Sequence, residues 1–128
     1  MKEIIAIIRM NMISKTKEAL LKSNFPSFTC RQVVGRGKTK VGYTITDETA
    51  RSEAVANDRE KAEQLAEQHR LVPRRMMTLL VKDEDLKEAI DLIIGVNRTG
   101  NPGDGKIFVL PASEVIRVRT GEKNADAL

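Results

Sequence analysis

The chain has 128 residues, a net charge of +4, one cysteine and few aromatic side chains. That length fits one domain able to bury a core without staples. Lone Cys30 excludes an internal disulfide. Four ring residues in the whole chain (Phe25, Phe28, Tyr43, Phe108) are too few for the stacking platform of a single-strand nucleic-acid binder, so small anions are the expected partners of the basic excess.

The apolar run at residues 4–8 closes at Arg9. It is too short for a membrane span and no small-residue cleavage site follows, which predicts a soluble, unsecreted protein. Residues 2–9 read as a buried strand of β-branched side chains. Ser14 is the expected N-cap of a helix reaching Lys22, and residues 24–27, Asn-Phe-Pro-Ser, break it. Residues 28–35 read as a second strand, with Cys30 core-facing or half-buried. Residues 76–82 read as a third. Asp83 is the expected cap of a second helix, with Leu86, Ala89, Ile90, Ile93 and Ile94 on one face. A turn-rich stretch from Gly95 to Gly105 precedes a fourth strand at residues 106–110. Residues 115–119 read as a further extended piece, with Arg117 and Arg119 on one side. The tail from Gly121 is polar and expected to be mobile without a ligand.

The order β-α-β, insertion, β-α-β is the α+β, ferredoxin-like pattern. The insertion, about residues 37–73, is long for a compact domain. Its first half is polar. Its second half, residues 57–70, reads as a helix opened by an Asn57/Glu60 capping box, with little apolar surface. It is read as a solvated excursion or as a partner-binding arm.

Gly100, Gly103 and Gly105 fall within six residues, just before Lys106. Bare glycine backbone can turn N–H groups toward a phosphate, and the lysine adds a charge. Asp104 either holds the loop or meets a ribose hydroxyl. The competing reading is a plain helix-to-strand turn, because neither a Walker motif nor a dinucleotide fingerprint is present. Arg117 and Arg119 are read as a phosphate fork or as an edge kept soluble by charge. Arg74, after Pro73, could hold a carboxylate. Catalytic candidates are poor: His69 is the only histidine and lies on a polar segment, no Cys/His set has metal-ligand spacing, and Cys30 has no activating base. The missing nucleophile–base pair points to a binder and not an enzyme.

Together the motifs resemble the PII signal-transduction family. The resemblance rests on residues 1–9, Val33-Val-Gly-Arg-Gly37, Thr99-Gly with Gly103-Asp-Gly-Lys-Ile-Phe-Val109, Val115-Ile-Arg-Val-Arg-Thr-Gly121, and the tail. It spans nearly the whole chain except the inside of the insertion, which corresponds to the family's T-loop and is longer here. The resemblance implies a single domain forming a trimeric ring, with nucleotide sites between neighbours where ATP and ADP compete and 2-oxoglutarate joins Mg-ATP. By position it implies an ATP set of Ile7, Thr29, Gly35, Gly37, Lys38, Leu80, Gly103, Asp104, Gly105, Lys106, Arg117 and Arg119. It implies a 2-oxoglutarate set of Thr39, Lys40, Val41, Arg74 and Gly103. Thr39 stands where ordinary members have the glutamine that helps hold magnesium, so it is placed near an ion held by ATP and 2-oxoglutarate. Arg74 replaces a lysine and Thr78 a glutamate; Tyr43 does not align with the uridylylated tyrosine.

The long insertion, Gly35-Arg-Gly-Lys38 and residues 24–27 look most like the nitrogenase-cluster PII proteins of the NifI type, second paralogue. That implies a cytoplasmic homotrimer or a mixed oligomer with the first paralogue. The assembly would bind and inhibit dinitrogenase until 2-oxoglutarate with ATP relieves the block. The alternatives are a general PII protein acting on an ammonium channel or glutamine synthetase, an ATP-using enzyme, and an RNA-binding module.

Overall fold

The computed structural model describes residues 1–38, 60–61, 64–65 and 71–128. By contact density the chain divides into Met1–Val33 with Pro73–Leu128, and Val34–Val72.

The first unit builds a sheet and two helices. The elements in chain order are β1 (Lys2–Arg9), α1 (Ile13–Lys22), β2 (Thr29–Gly35), β3 (Val72–Val81), α2 (Leu86–Asn97) and β4 (Lys106–Pro111). The sheet order is β2-β3-β1-β4, and β1 runs antiparallel to both β3 and β4. This is the ferredoxin-like arrangement expected from the element order.

The alternation of β1 sets the core. Ile4, Ala6 and Ile8 are buried and point to the helices, as do Met77, Leu79 and Val81 of β3. The helices cover this face with residues spaced by four: Thr16 and Leu20 from α1, Ala89, Ile93 and Asn97 from α2. Phe25 closes one end.

Two of these positions are polar, and they meet. Asn97 Nδ2 donates to Thr16 Oγ1 at 3.0 Å and to the Ile93 carbonyl at 2.9 Å. The Thr16 hydroxyl in turn donates to the Met12 carbonyl at 2.8 Å. The pair is a satisfied hydrogen-bond chain across the helix contact, save for one atom taken up below.

The opposite sheet face carries no helix. By register, Ile5 stands beside Phe108 and Thr78, Ile7 beside Lys106 and Met76, and Glu3 beside Leu110 and Leu80. Phe108 is 48% exposed, and Leu80 and Leu110 are also open to solvent. A largely apolar sheet face is therefore left bare.

Several expectations shift. Both helices begin with a 3-10 turn, Met10–Met12 and Asp83–Asp85. Ser14 therefore lies inside the first α-turn and caps nothing; the N-cap position falls on Met12, with no side-chain cap bond. Asp83 is likewise not the cap of α2: it pairs with the Met1 amine at 3.0 Å. Helix α2 runs on through Gly95 to Asn97, so the turn begins later than the glycine suggested. β3 starts four residues before the expected Met76, taking in Pro73 and Arg74. Cys30 is exposed on β2, not core-facing.

Residues 115–119 are not a strand. Only Ile116 bridges, to Lys123, and a turn at residues 118–120 brings the chain back. The Gly121 amide donates to the Arg117 carbonyl at 2.7 Å, and Gly121 has φ 72°. The polar tail is folded back and ends in a 3-10 turn at Asn124–Ala127. In the second unit, residues 60, 61, 64 and 65 are helical and exposed. The remainder of the expected helix at 57–70, its Asn57 cap, His69 and Tyr43 lie outside the described residues.

Candidate functional site

The densest arrangement of polar groups is the loop at residues 98–106, between α2 and β4. Its path needs glycine. Gly100, Gly103 and Gly105 take φ of 85°, 95° and 121°, a region L side chains rarely adopt. At Gly105 a Cβ would sit 2.1 Å from the Ile7 carbonyl oxygen. At Gly103 it would meet the Arg74 guanidinium at 3.2 Å and Arg9 at 3.4 Å. The loop thus lies directly against β1, with bare backbone at its two closest approaches.

Asp104 closes the loop. Its carboxylate accepts from the Thr99 amide at 2.8 Å, the Thr99 hydroxyl at 2.5 Å and the Gly100 amide at 3.1 Å. Arg9 adds a charge-assisted bond at 2.6 Å, and its other nitrogen donates to the Pro102 carbonyl at 3.1 Å. Of the two roles the sequence left open to Asp104, the geometry supports holding the loop: its oxygens are committed within it.

The Thr99 donors above all, then Arg9 and the Gly100 amide, hold the Asp104 carboxyl far below the usual carboxylate range. A group depressed in the folded state contributes stability that is complete above its unfolded pKa, about 4. That contribution is lost as pH falls toward the folded value. Wild-type protein is therefore expected to lose more stability between pH 5 and pH 2.5 than Asp104→Asn does. Urea midpoints at a series of pH values read the difference; parallel curves for the two proteins would refute this role for the carboxylate.

Three cations gather here. Arg74, opposite Arg9 in the β1–β3 register, donates through Nη1 to the Gly103 carbonyl at 3.0 Å. Lys106 opens β4 opposite Ile7 and is exposed. The structure therefore brings together six of the residues expected from the sequence: Ile7, Arg74, Gly103, Asp104, Gly105 and Lys106. It adds Arg9, which the sequence reading took only as the end of an apolar run. The available signal was chemical: a loop carboxylate calls for a cation, and Arg9 ends the strand beside it.

Other expected residues lie elsewhere. Leu80 pairs with Glu3, four residues along β1 from Ile7, about 13 Å away at strand spacing. Leu80 and Thr29 line a separate cleft of about 670 Å³ with Phe28, Val115 and the chain end. Arg117 is in the C-terminal hairpin, where its side chain bonds Glu122 at 2.5 Å. Arg119 sits in the hairpin turn, so the two arginines do not share one strand side as their spacing suggested. Gly35, Gly37 and Lys38 belong to the second unit, and a Cβ at either glycine would meet nothing within 4 Å. Thr39, Lys40 and Val41 lie outside the described residues.

A ferredoxin-like domain whose glycine-rich turn brings cations to one end of the sheet is the frame of a small regulatory ligand binder. Residues 1–122 match the family model described as nitrogen regulatory protein P-II, and the chain belongs to that family. It is 44% identical over 133 residues to a "Nitrogen fixation nifHD region GlnB-like protein 2" of Methanobacterium ivanovii, covering 100% of this chain and 99% of that one. A protein of the same description from Methanothermococcus thermolithotrophicus is 42% identical over 130 residues, covering 100% and 98%. A solved structure of Arabidopsis thaliana PII bound to citrate superposes with a TM-score of 0.70 at 32% identity, covering 98% of this chain and 87% of that one. The chain is thus a P-II protein of the GlnB-like, nitrogen-fixation-region type.

Proposed function

We propose that the protein is a cytoplasmic sensor of ATP, ADP and 2-oxoglutarate that restrains nitrogen fixation by binding dinitrogenase, without catalysing a reaction of its own. The observation that carries the reading is the loop at residues 98–106. Its glycine backbone is bare where it approaches β1, its own carboxylate is already neutralised by Arg9, and Lys106 remains exposed beside it. Such a loop suits an incoming anion.

Phosphates of ATP or ADP would lie along Gly103, Gly105 and Lys106, with Ile7 on the adjacent strand. Arg74 would exchange the Gly103 carbonyl for a 2-oxoglutarate carboxylate, a stronger, charge-assisted partner. Magnesium would be held mainly by the two ligands, with Thr39 nearby. Thr29, Leu80, Arg117 and Arg119 would complete a site from the neighbouring subunit, since within one chain Thr29 and Leu80 line a different cleft. The bare apolar sheet face supports assembly, as a homotrimer or as a mixed oligomer with a first NifI-type paralogue. No nucleic acid and no direct membrane insertion enter this scheme. Relatives from nifHD regions support the nitrogen-fixation target. Effectors bound at the loop bias the equilibrium between target-bound and free regulator, and tenfold needs only about 1.4 kcal/mol of differential affinity.

Calorimetry tests the shared site: 2-oxoglutarate is expected to bind in the presence of Mg-ATP and far more weakly without it. Equal binding in both conditions would overturn it. Capture from extract of nitrogen-fixing cells tests the target: dinitrogenase is expected, and recovery of an ammonium channel or glutamine synthetase instead would replace the reading with that of a general PII regulator.

A further inference from the structure

Behind the loop, on the helix side of the sheet, lies a second cleft of about 260 Å³. Ile8, Ile93, Ile94 and Ile107 make its apolar body, and Asn97 is also part of its wall. Asn97 is 5% exposed, and its Oδ1 is buried with no donor reaching it among the described residues.

The orphan is not a matter of amide orientation. Both Nδ2 hydrogens are spent, on Thr16 and on the Ile93 carbonyl. Turning the amide over would set Oδ1 against that carbonyl, acceptor against acceptor. Thr16 cannot offer its hydrogen either, because that goes to Met12. A buried acceptor left this way carries a desolvation cost of about 1–3 kcal/mol, which a donor from outside would remove. The cleft is larger than the roughly 30 Å³ share of one water in the liquid, and smaller than a drug-sized pocket.

Its charge balance selects the donor's company. Asp104 lies in the wall but is already taken up by Arg9, Thr99 and Gly100. Arg98, exposed at the rim, is the cation left for an incoming anion besides Lys106 of the nucleotide loop.

We propose that this cleft is a binding site for a small aliphatic carboxylic acid that carries an O–H or N–H donor next to its carboxylate. The aliphatic body lies among the isoleucines, the donor reaches Asn97 Oδ1 and the carboxylate meets Arg98. The site is separate from the anion site on the loop and stands whether or not the protein binds ATP. Gly105 is part of its wall, so an occupant touches the back of the loop that the nucleotide reading places in front.

The test is NMR titration of the full chain without nucleotide, using three six-carbon probes: 2-hydroxy-4-methylpentanoate, 4-methylpentanoate, which lacks the donor, and 4-methylpentan-2-ol, which lacks the carboxylate. The hydroxy acid is expected to give saturable shifts of the Asn97 side-chain amide and the Ile93 and Ile107 methyls. Each partial probe is expected to bind about tenfold more weakly. Ile94→Trp, at a half-buried position, should fill the cleft and abolish the shifts, while unchanged amide spectra of α1 verify its fold; Arg98→Gln should erase the advantage of the acid over the alcohol. Absence of saturable shifts, equal affinity for the first two probes, or shifts that persist in a folded Ile94→Trp protein would each overturn the proposal.

Discussion

Gly105→Ala is expected to destabilise the protein by about 3 kcal/mol or more, one of the largest single-residue effects in the chain. Two costs combine. At φ 121° an alanine is strained whatever the space around it. The new methyl also falls 2.1 Å from the Ile7 carbonyl oxygen, inside any permissible contact. That oxygen belongs to the middle strand of the sheet and cannot swing away as a long side chain can, so the loop itself must lift. Gly100→Ala supplies the comparison, because φ is positive there too, at 85°, but a Cβ would meet nothing within 4 Å. Its cost is expected near 1–2 kcal/mol, the backbone strain alone. Urea denaturation with unchanged m-values reads both. Equal losses would show that the close approach of the loop to β1 is not what requires glycine.

Lys106→Met is expected to weaken ATP binding by about 10- to 150-fold while leaving folding nearly unchanged. The lysine is exposed at the first position of β4, so its removal opens no cavity. Methionine keeps the length and apolar stem of the side chain and deletes only the charge. A charge-assisted hydrogen bond contributes about 1.5–3 kcal/mol, which sets that range. Added salt should narrow the gap between the two proteins by screening the charge. Calorimetry across a salt series reads this directly. An unchanged affinity would remove Lys106 from the nucleotide site.

The sheet was legible because its alternation is chemically plain. Ile4, Ala6 and Ile8 announce one face of β1, and Ala89 and Ile93 announce the inner face of α2. The glycine-rich loop was legible for the same kind of reason, since three glycines within six residues before a strand exceed the needs of a simple turn. What escaped the sequence were contacts made across long separations. Arg9 and Asp104 are 95 residues apart, and nothing in their spacing links them. Only the pairing of β1 with β4 sets the loop beside the end of β1. Arg117 and Arg119 failed for a different reason. A two-residue spacing puts side chains together only if the backbone stays extended, and Gly121 instead lets it fold back. The caps at Ser14 and Asp83 failed because a 3-10 turn before each helix moves its first α-turn, and such turns carry no strong sequence signal.

The bare face of the sheet has a consequence for how the molecule behaves on dilution. Ile5, Ile7, Phe108 and Leu110 sit on the strands whose other side is the core. Whatever covers them in solution binds the folded chain and not the unfolded one, and so stabilises it by mass action. If copies of the chain, or of a paralogue, provide that cover, the melting temperature must rise with their concentration. The fold's stability is then a property of the population, and the supply of subunits becomes one of the variables the regulator responds to.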